Sequence, residues 1–412
     1  MSTTDLPDLS TLSFWEQPED AREEAFRLLR DQAPLSWHRQ PEGMLIPIEG
    51  GTGGFWAAVR HEDIRTISRS AERFCSGKGV MLEDVPELFL DAAQSFLAKD
   101  GAEHKALRGI VSAGFTPRQM RRLEDGIRAD ARAVVDSLAD HEDGDFVELV
   151  AKRVPLMTIM RMLDVPEADR EQIVHLADSM VSWNDPEFLD GREPIEMMGD
   201  TIVELHTYCT ELVEARRASP GEDLISAMVQ AEVDGRRLDD PEISAFFILI
   251  SVAGNDTTRH TTSHGMLALT RFPDQRALLA EHMDSAVEEF VRWASPVMTF
   301  RRTATCDTEL SGQPIADGEK IVMFYPSGNR DPRFFSEPER FDVTRDPNHH
   351  LGFGGGGPHY CMGAALARTQ LKAVFAELLG RYPKLEVADP VLLVGNFING
   401  IQRMPMHRGA AA

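Results

Sequence analysis

The chain has 412 residues, of which 42% are hydrophobic and 27% charged, a globular composition that excludes disordered, collagen-like and low-complexity proteins. Lys and Arg number 43 against 67 Asp and Glu, a net charge of −24. So acidic a chain repels a phosphate backbone, and nucleic acid is not an expected partner. Cys75, Cys209, Cys306 and Cys361 lie far apart without CxxC spacing, which argues against a disulfide framework or structural zinc and for a reducing compartment.

The opening MSTTDLPDLSTLSFWEQPED lacks the basic and apolar regions of a secretory signal. WAAV near residue 56 reads as strand. Residues 77–99 and 180–199 mix apolar residues with Gly, Pro and acids, as mobile lids do; amphipathic helices beside irregular loops fit the same composition. EHKALR sets His104 and Arg108 four apart on a cationic helix face, which an ordinary surface turn also shows. Apolar residues at helical spacing recur in 122–139, 200–217, 275–294 and 362–382. From residue 308, TELSGQPIADGEKIVMFY alternates between Gly and Pro turns like short strands. The run AFFILISVAG at 245–254 is well short of the ~20 residues a membrane span needs. With no repeat and no linker, 1–412 reads as one soluble, cytoplasmic, mainly α domain with small β-sheets.

Three segments carry chemistry. Ile243 to Phe272 contains no Pro and predicts one helix of about 45 Å. Its apolar first half gives way to Ala253, Gly254, Asn255, Asp256, Thr257 and Thr258, where Gly weakens a helix and Thr hydroxyls distort it. A groove holding an acid and an alcohol is one reading; an exposed polar turn is the other. In SAVEEFVRW, Glu289 and Arg292 share a helix face, and alone would form a solvated ion pair worth a few tenths of a kcal/mol.

In FGGGGPHYCMGAALAR, Gly354 to Gly357 precede a single Cys361 at the start of a helix-forming run. Glycines permit φ > 0 and let backbone approach a flat object. A helix N-terminus favours thiolate over thiol, hence a nucleophile or a metal ligand. Pro358, His359 and Tyr360 stand where a phosphate loop would carry its GK[ST]. His359 as base for a Cys nucleophile is disfavoured by its position two residues away.

Taken in order, EHKALR, AGNDTT, EEFVR, FDVTR and FGGGGPHYCMG resemble the cytochrome P450 family of haem-thiolate monooxygenases, from about residue 12 to the C-terminus. The resemblance implies the cytochrome P450 fold around haem b, with Cys361 as axial iron ligand, its thiolate favouring O–O cleavage, and Phe353 and Ala253 against the cofactor. It implies a proton relay through Asp256 and Thr257. Glu289 and Arg292, joined by Arg345, buttress the haem loop. His104, Arg108, Arg302 and His359 meet the two propionates. Phe353 precedes the cysteine by one residue more than the common spacing, a longer loop that a subset of bacterial members shares.

The wider sequence is most similar to actinobacterial enzymes that hydroxylate methyl-branched lipids and steroid side chains, with terpenoid hydroxylases close behind. A small apolar substrate, O2, and a ferredoxin with its reductase are the implied partners. By position, Val252, Val297, Met298 and Phe397 join the two lids as pocket walls. Arg118, Arg121, Arg122, Arg368 and Lys372 form a basic patch for an acidic ferredoxin. A hydrogen-peroxide-driven peroxygenase would usually lack the acid and alcohol pair, and a haem sensor or carrier would need no relay.

Overall fold

The structure is a computed structural model and describes residues 6–41, 53–84, 90–92, 95–113, 117–181, 189, 191–233 and 235–411. Ten helices organise the site: α1 His61–Arg69, α2 Gly101–Ala113, α3 Pro117–Ser137, α4 Arg153–Met162, α5 Arg170–Val181, α6 Pro194–Ala218, α7 Asp240–Ala253, α8 Asp256–Arg271, α9 Met283–Ala294 and α10 Ala364–Arg381. Beside them lies a five-stranded sheet of β1 Leu35–Arg39, β2 Gly54–Ala58, β3 Phe74–Cys75, β4 Thr299–Ala304 and β5 Lys320–Phe324, in the order β1-β2-β5-β4-β3.

β5 is central, parallel to β2 (Ile321 opposite Trp56) and antiparallel to β4 (Ile321 opposite Arg302). All five of its residues are buried, so successive side chains supply two different cores. Val322 and Phe324 join Trp15, Phe26 and Phe55 on one face. Ile321 and Met323 join Ile64, Ile67 and Phe74 on the other. Lys320 is fully buried because its ammonium reaches Asp84 at 2.8 Å. The largest cluster lies among α3 to α10.

The helix expected over 243–272 is two. Asp239 caps α7 by accepting from the Glu242 amide at 2.9 Å, and Glu242 accepts the Asp239 amide at 3.0 Å, a reciprocal pair that satisfies otherwise orphaned donors. The helix stops at Gly254, where a Cβ would lie 2.3 Å from Cδ1 of Ile159 in α4. Close packing of α4 thus selects glycine there. α8 restarts at Asp256, and the Thr257 hydroxyl spans the break by donating to the Ala253 carbonyl at 3.1 Å.

The apolar spacing over 275–294 also divides, into Pro273–Leu278 and α9. The strands expected after 308 are Thr308–Leu310, Gln313–Ile315 and β5. Of the two expected lids, 85–89, 93–94, 182–188 and 190 lie outside the described residues. Ser95–Ala98 forms a 3-10 turn, and 194–199 open α6. No helix among the described residues is long and apolar enough to cross a membrane.

Candidate active site

Cys361 stands in the loop that leads into α10, open to a pocket while protein atoms crowd its other sides. Gly354, Gly356 and Gly357 have φ of +96°, +94° and +77°, conformations that favour glycine. A Cβ on Gly357 would lie 2.2 Å from the Ser68 carbonyl oxygen, and one on Gly355 2.6 Å from Ser68 Oγ. The glycines therefore seat the loop against the end of α1, a nearer reason than the approach of a flat object. The Cys361 amide donates to the Phe353 carbonyl at 3.0 Å and closes the loop.

Burial pushes the Cys361 thiol above its ordinary pKa, outweighing the Gly363 and Ala364 amides and the Arg108 and Arg368 charges that pull it down. The helix N-terminus alone does not make the thiolate expected from sequence. A metal ion at the sulfur would deprotonate it outright.

The space beside Cys361, open solvent at its mouth included, amounts to about 1520 Å³. Ala253, Gly254 and Thr257 of the helix break line it together with Cys361. Phe96, Phe246, Leu249, Ile250, Phe300 and Met162 supply apolar wall that the sequence motifs did not reveal. Val297 and Phe353 line it as placed from sequence, whereas Val252, Met298 and Phe397 do not. Met298 is a correction: it packs under the sheet with Phe26 and Phe324, 3.6 Å from Arg22 Nη1. Phe397 stands one layer back, its ring 5.7 Å from that of Phe300.

Asp256 lies beneath the wall, 2% exposed, and its carboxylate meets Arg259 Nη2 at 2.6 Å. Arg259 also donates to Asp178 of α5 at 3.0 Å. Two carboxylates share one guanidinium in a buried site. Burial pushes Asp256 up to about 7, against the pull of Arg259 and with the push of Asp178. A carboxyl poised there exchanges protons near neutrality.

Arg108, Arg302 and His359 line the pocket, and the His104 ring stacks 4.1 Å behind that of His359. Arg108 Nη2 donates to the Tyr360 carbonyl at 2.5 Å, and Arg302 Nη1 to the Arg301 carbonyl at 2.7 Å. His359 Nε2 meets Ser76 Oγ at 3.1 Å. Burial, with His359 and Arg108 nearby, holds His104 down at about 4. His104 Nε2 and His359 Nδ1 are buried without a hydrogen-bond partner. Unpartnered buried imidazole nitrogens beside two guanidinium groups fit the carboxylate-bearing edge of a prosthetic group whose face the apolar pocket would cover and whose metal the Cys361 thiol would hold.

Glu289, fully buried, accepts Arg292 Nε and Nη2 at 2.7 Å each, Asp342 N at 2.9 Å, Asn348 Nδ2 at 3.0 Å and Arg345 Nε at 3.2 Å. Arg292 further donates to the carbonyls of Asn329, Pro338 and Arg340. The pair that would be weak on a surface is thus the hub tying α9 to the chain that leads into the Cys loop. The basic patch fares differently. Arg368 pairs with Glu288, Lys372 with Asp284 and Arg122 with Glu222, because so acidic a chain supplies partners. Arg121 is exposed, and the Arg118 side chain lies outside the described residues.

A cysteine in a glycine-rich loop, an acid and alcohol at a helix break, and an apolar pocket rimmed by cationic donors define a haem-thiolate monooxygenase. The family model for cytochrome P450 matches residues 83–289 and 281–390. The chain belongs to the cytochrome P450 family, and its prosthetic group is haem b. A methyl-branched lipid omega-hydroxylase of Mycobacterium tuberculosis is 39% identical over 97% of this chain and 94% of its own length. A steroid C26-monooxygenase of Mycolicibacterium smegmatis is 36% identical over 91% of this chain and 87% of its own. The structure of a Mycobacterium marinum cytochrome P450 in complex with pseudoionone superposes with a TM-score of 0.94 at 52% identity, covering 97% of both chains.

Proposed function

We propose that residues 1–412 act as one unit that hydroxylates a branched apolar substrate, a methyl-branched lipid or a steroid side chain, with electrons from a ferredoxin. The observation that carries this is that Cys361 and Thr257 share one pocket whose wall is largely apolar. Haem held there by Cys361 would supply activation of dioxygen, so that with two electrons from the donor and two protons one oxygen atom enters a C–H bond and the other leaves as water.

This chain's own residues do the rest. Arg108 and Arg302 would balance the charge of the propionates, and His359 with, behind it, His104 would offer them hydrogen bonds from largely neutral rings. Thr257 presents its hydroxyl to the pocket and Asp256 replenishes the proton from below, a role that suits a carboxyl held up to about 7. The apolar wall excludes water and takes the hydrocarbon of the substrate. A terpenoid is the second reading, favoured by the pseudoionone bound to the Mycobacterium marinum relative.

The carbon monoxide difference spectrum of the dithionite-reduced protein tests the ligand. A strongly red-shifted Soret band, lost in Cys361→Ala, supports it; a histidine-type band overturns it. Spin-state titrations with sterols, methyl-branched fatty acids and terpenes then rank the substrates. Turnover with a ferredoxin and its reductase tests the donor. Since three of the expected docking cations are paired, exposed Arg121 carries the docking prediction. Unchanged salt dependence in Arg121→Glu would count against a charge-steered complex.

A further inference from the structure

Glu288, the first acid of the EEFVR motif, has no part in the hub that its neighbour Glu289 makes. Its carboxylate instead accepts Arg368 Nε at 2.6 Å and Nη2 at 2.8 Å, a bidentate pair across 80 residues of chain. It also meets His350 Nε2 at 3.0 Å. The His350 Nδ1 accepts the Gly352 amide at 3.1 Å, so the proton of a neutral ring sits on Nε2 and is donated to Glu288. One carboxylate thus holds a side chain on each side of the Cys loop, upstream and downstream.

Both of those side chains close on the same ring. The Arg368 guanidinium lies 4.5 Å from the Phe353 ring centroid, and the His350 ring centroid is 5.6 Å from it. Phe353 in turn gives its carbonyl to the Cys361 amide. The charge of Arg368, like that of Arg108, pulls the Cys361 thiol downward. Among the described residues Arg108 donates to the Tyr360 carbonyl and pairs with no carboxylate, whereas Arg368 has Glu288.

We propose that Glu288 is a positioning residue that balances the charge of Arg368 and fixes the Phe353 cage, and so sets how strongly the Cys361 thiolate donates to the haem iron. The inference rests on the reading of Cys361 as the axial ligand. A cation beside a thiolate withdraws donation and favours the reduced, more negative state of the centre; a carboxylate clamped to that cation cancels much of this field. Glu288 keeps the thiolate a strong donor although the charge of Arg368 acts on it.

The test is the ferric/ferrous reduction potential of the haem-loaded protein, measured for the parent, Glu288→Gln, Arg368→Gln and the double variant. Gln at 288 keeps the shape and one acceptor while removing the charge. The expected result is a more positive potential in Glu288→Gln, a more negative one in Arg368→Gln, and a return towards the parent in the double variant, with the red-shifted carbon monoxide band kept throughout. Arg368→Lys, which keeps the charge, holds its potential nearer the parent than Arg368→Gln does and guards against an Arg368→Gln that fails to fold. A parent with the red-shifted band whose potential does not move in Glu288→Gln overturns the proposal and leaves the Cys361 assignment standing. A parent without that band overturns the Cys361 assignment itself. A double variant whose potential stays as far from the parent as that of Glu288→Gln alone would also refute charge balance.

Discussion

Replacing Glu289 by Gln removes one charge and almost no volume, so its cost measures the network alone. The carboxylate accepts five hydrogen bonds, from Arg292 Nε and Nη2, Asp342 N, Arg345 Nε and Asn348 Nδ2. Gln offers one oxygen, and its amide group turns two or three of those donors into unpaired ones. Each unsatisfied buried donor costs about 1–3 kcal/mol. Viewed instead as a broken buried ion pair, the change costs about 3–5 kcal/mol. These describe the same loss and are not summed, so about 4 kcal/mol is expected, a large part of the 5–15 kcal/mol typical of a folded protein. Guanidinium unfolding followed by tryptophan fluorescence reads it, with Trp293 next to Arg292 in the hub. Glu288→Gln is the internal comparison. Its side chain is 25% exposed, and discounting for solvent brings its cost to about 1 kcal/mol. A Glu289→Gln protein within about 1 kcal/mol of the parent would refute the idea that this hub holds the loop.

Thr257→Ala is expected to retain haem yet divert reducing equivalents to hydrogen peroxide; tight coupling of NADH consumption to product would refute the relay. Asp256 has a folded-state pKa raised from 3.8 to about 7, so over that window the folded chain holds a proton that the unfolded chain releases, and stability falls as pH rises. Asp256→Asn removes this dependence: its stability relative to the parent should climb from about pH 4 to about pH 7 and level off above, whereas parallel melting-versus-pH curves would contradict the raised pKa. Gly357→Ala places a Cβ 2.2 Å from backbone at φ +77°, whereas Gly312→Ala has the same φ and nothing within 4 Å. The second should cost about 1–2 kcal/mol of backbone strain and the first distinctly more, with loss of haem uptake; equal melting temperatures would show that the loop does not need its seat on α1.

What the sequence revealed of the site is what lies close together along the chain. Cys361 with its glycines, the AGNDTT run and the Glu289–Arg292 pair are each local patterns, and their spacing maps onto the structure directly. The pocket wall is different, because Phe96, Phe246 and Phe300 come from three distant elements and look like ordinary core residues in their own segments. Met298 was misplaced for the same reason: it lies just ahead of β4, and the side to which it turns depends on the layer of Phe26 and Phe324 packed there. A weak point in the long helix was visible at Gly254, but not that the helix divides there, which follows from Ile159 of α4, almost a hundred residues earlier. Charge counting also missed that Arg368 and Lys372 are matched by Glu288 and Asp284 on α9.

The pocket lies on a seam. Phe96, Phe246, Val291 and Leu366 on its walls belong to the large helical core, whereas Val297, Phe300 and Tyr325 belong to the core on one face of the sheet. Whatever fills the pocket is therefore mortar between two separately built hydrophobic masses. A group that binds only when both walls are in place adds its binding free energy to the joint, not to either mass alone. Occupied, the two cores are expected to melt as one cooperative body; stripped of its occupant, the same chain is expected to part first along that seam, in two resolved transitions.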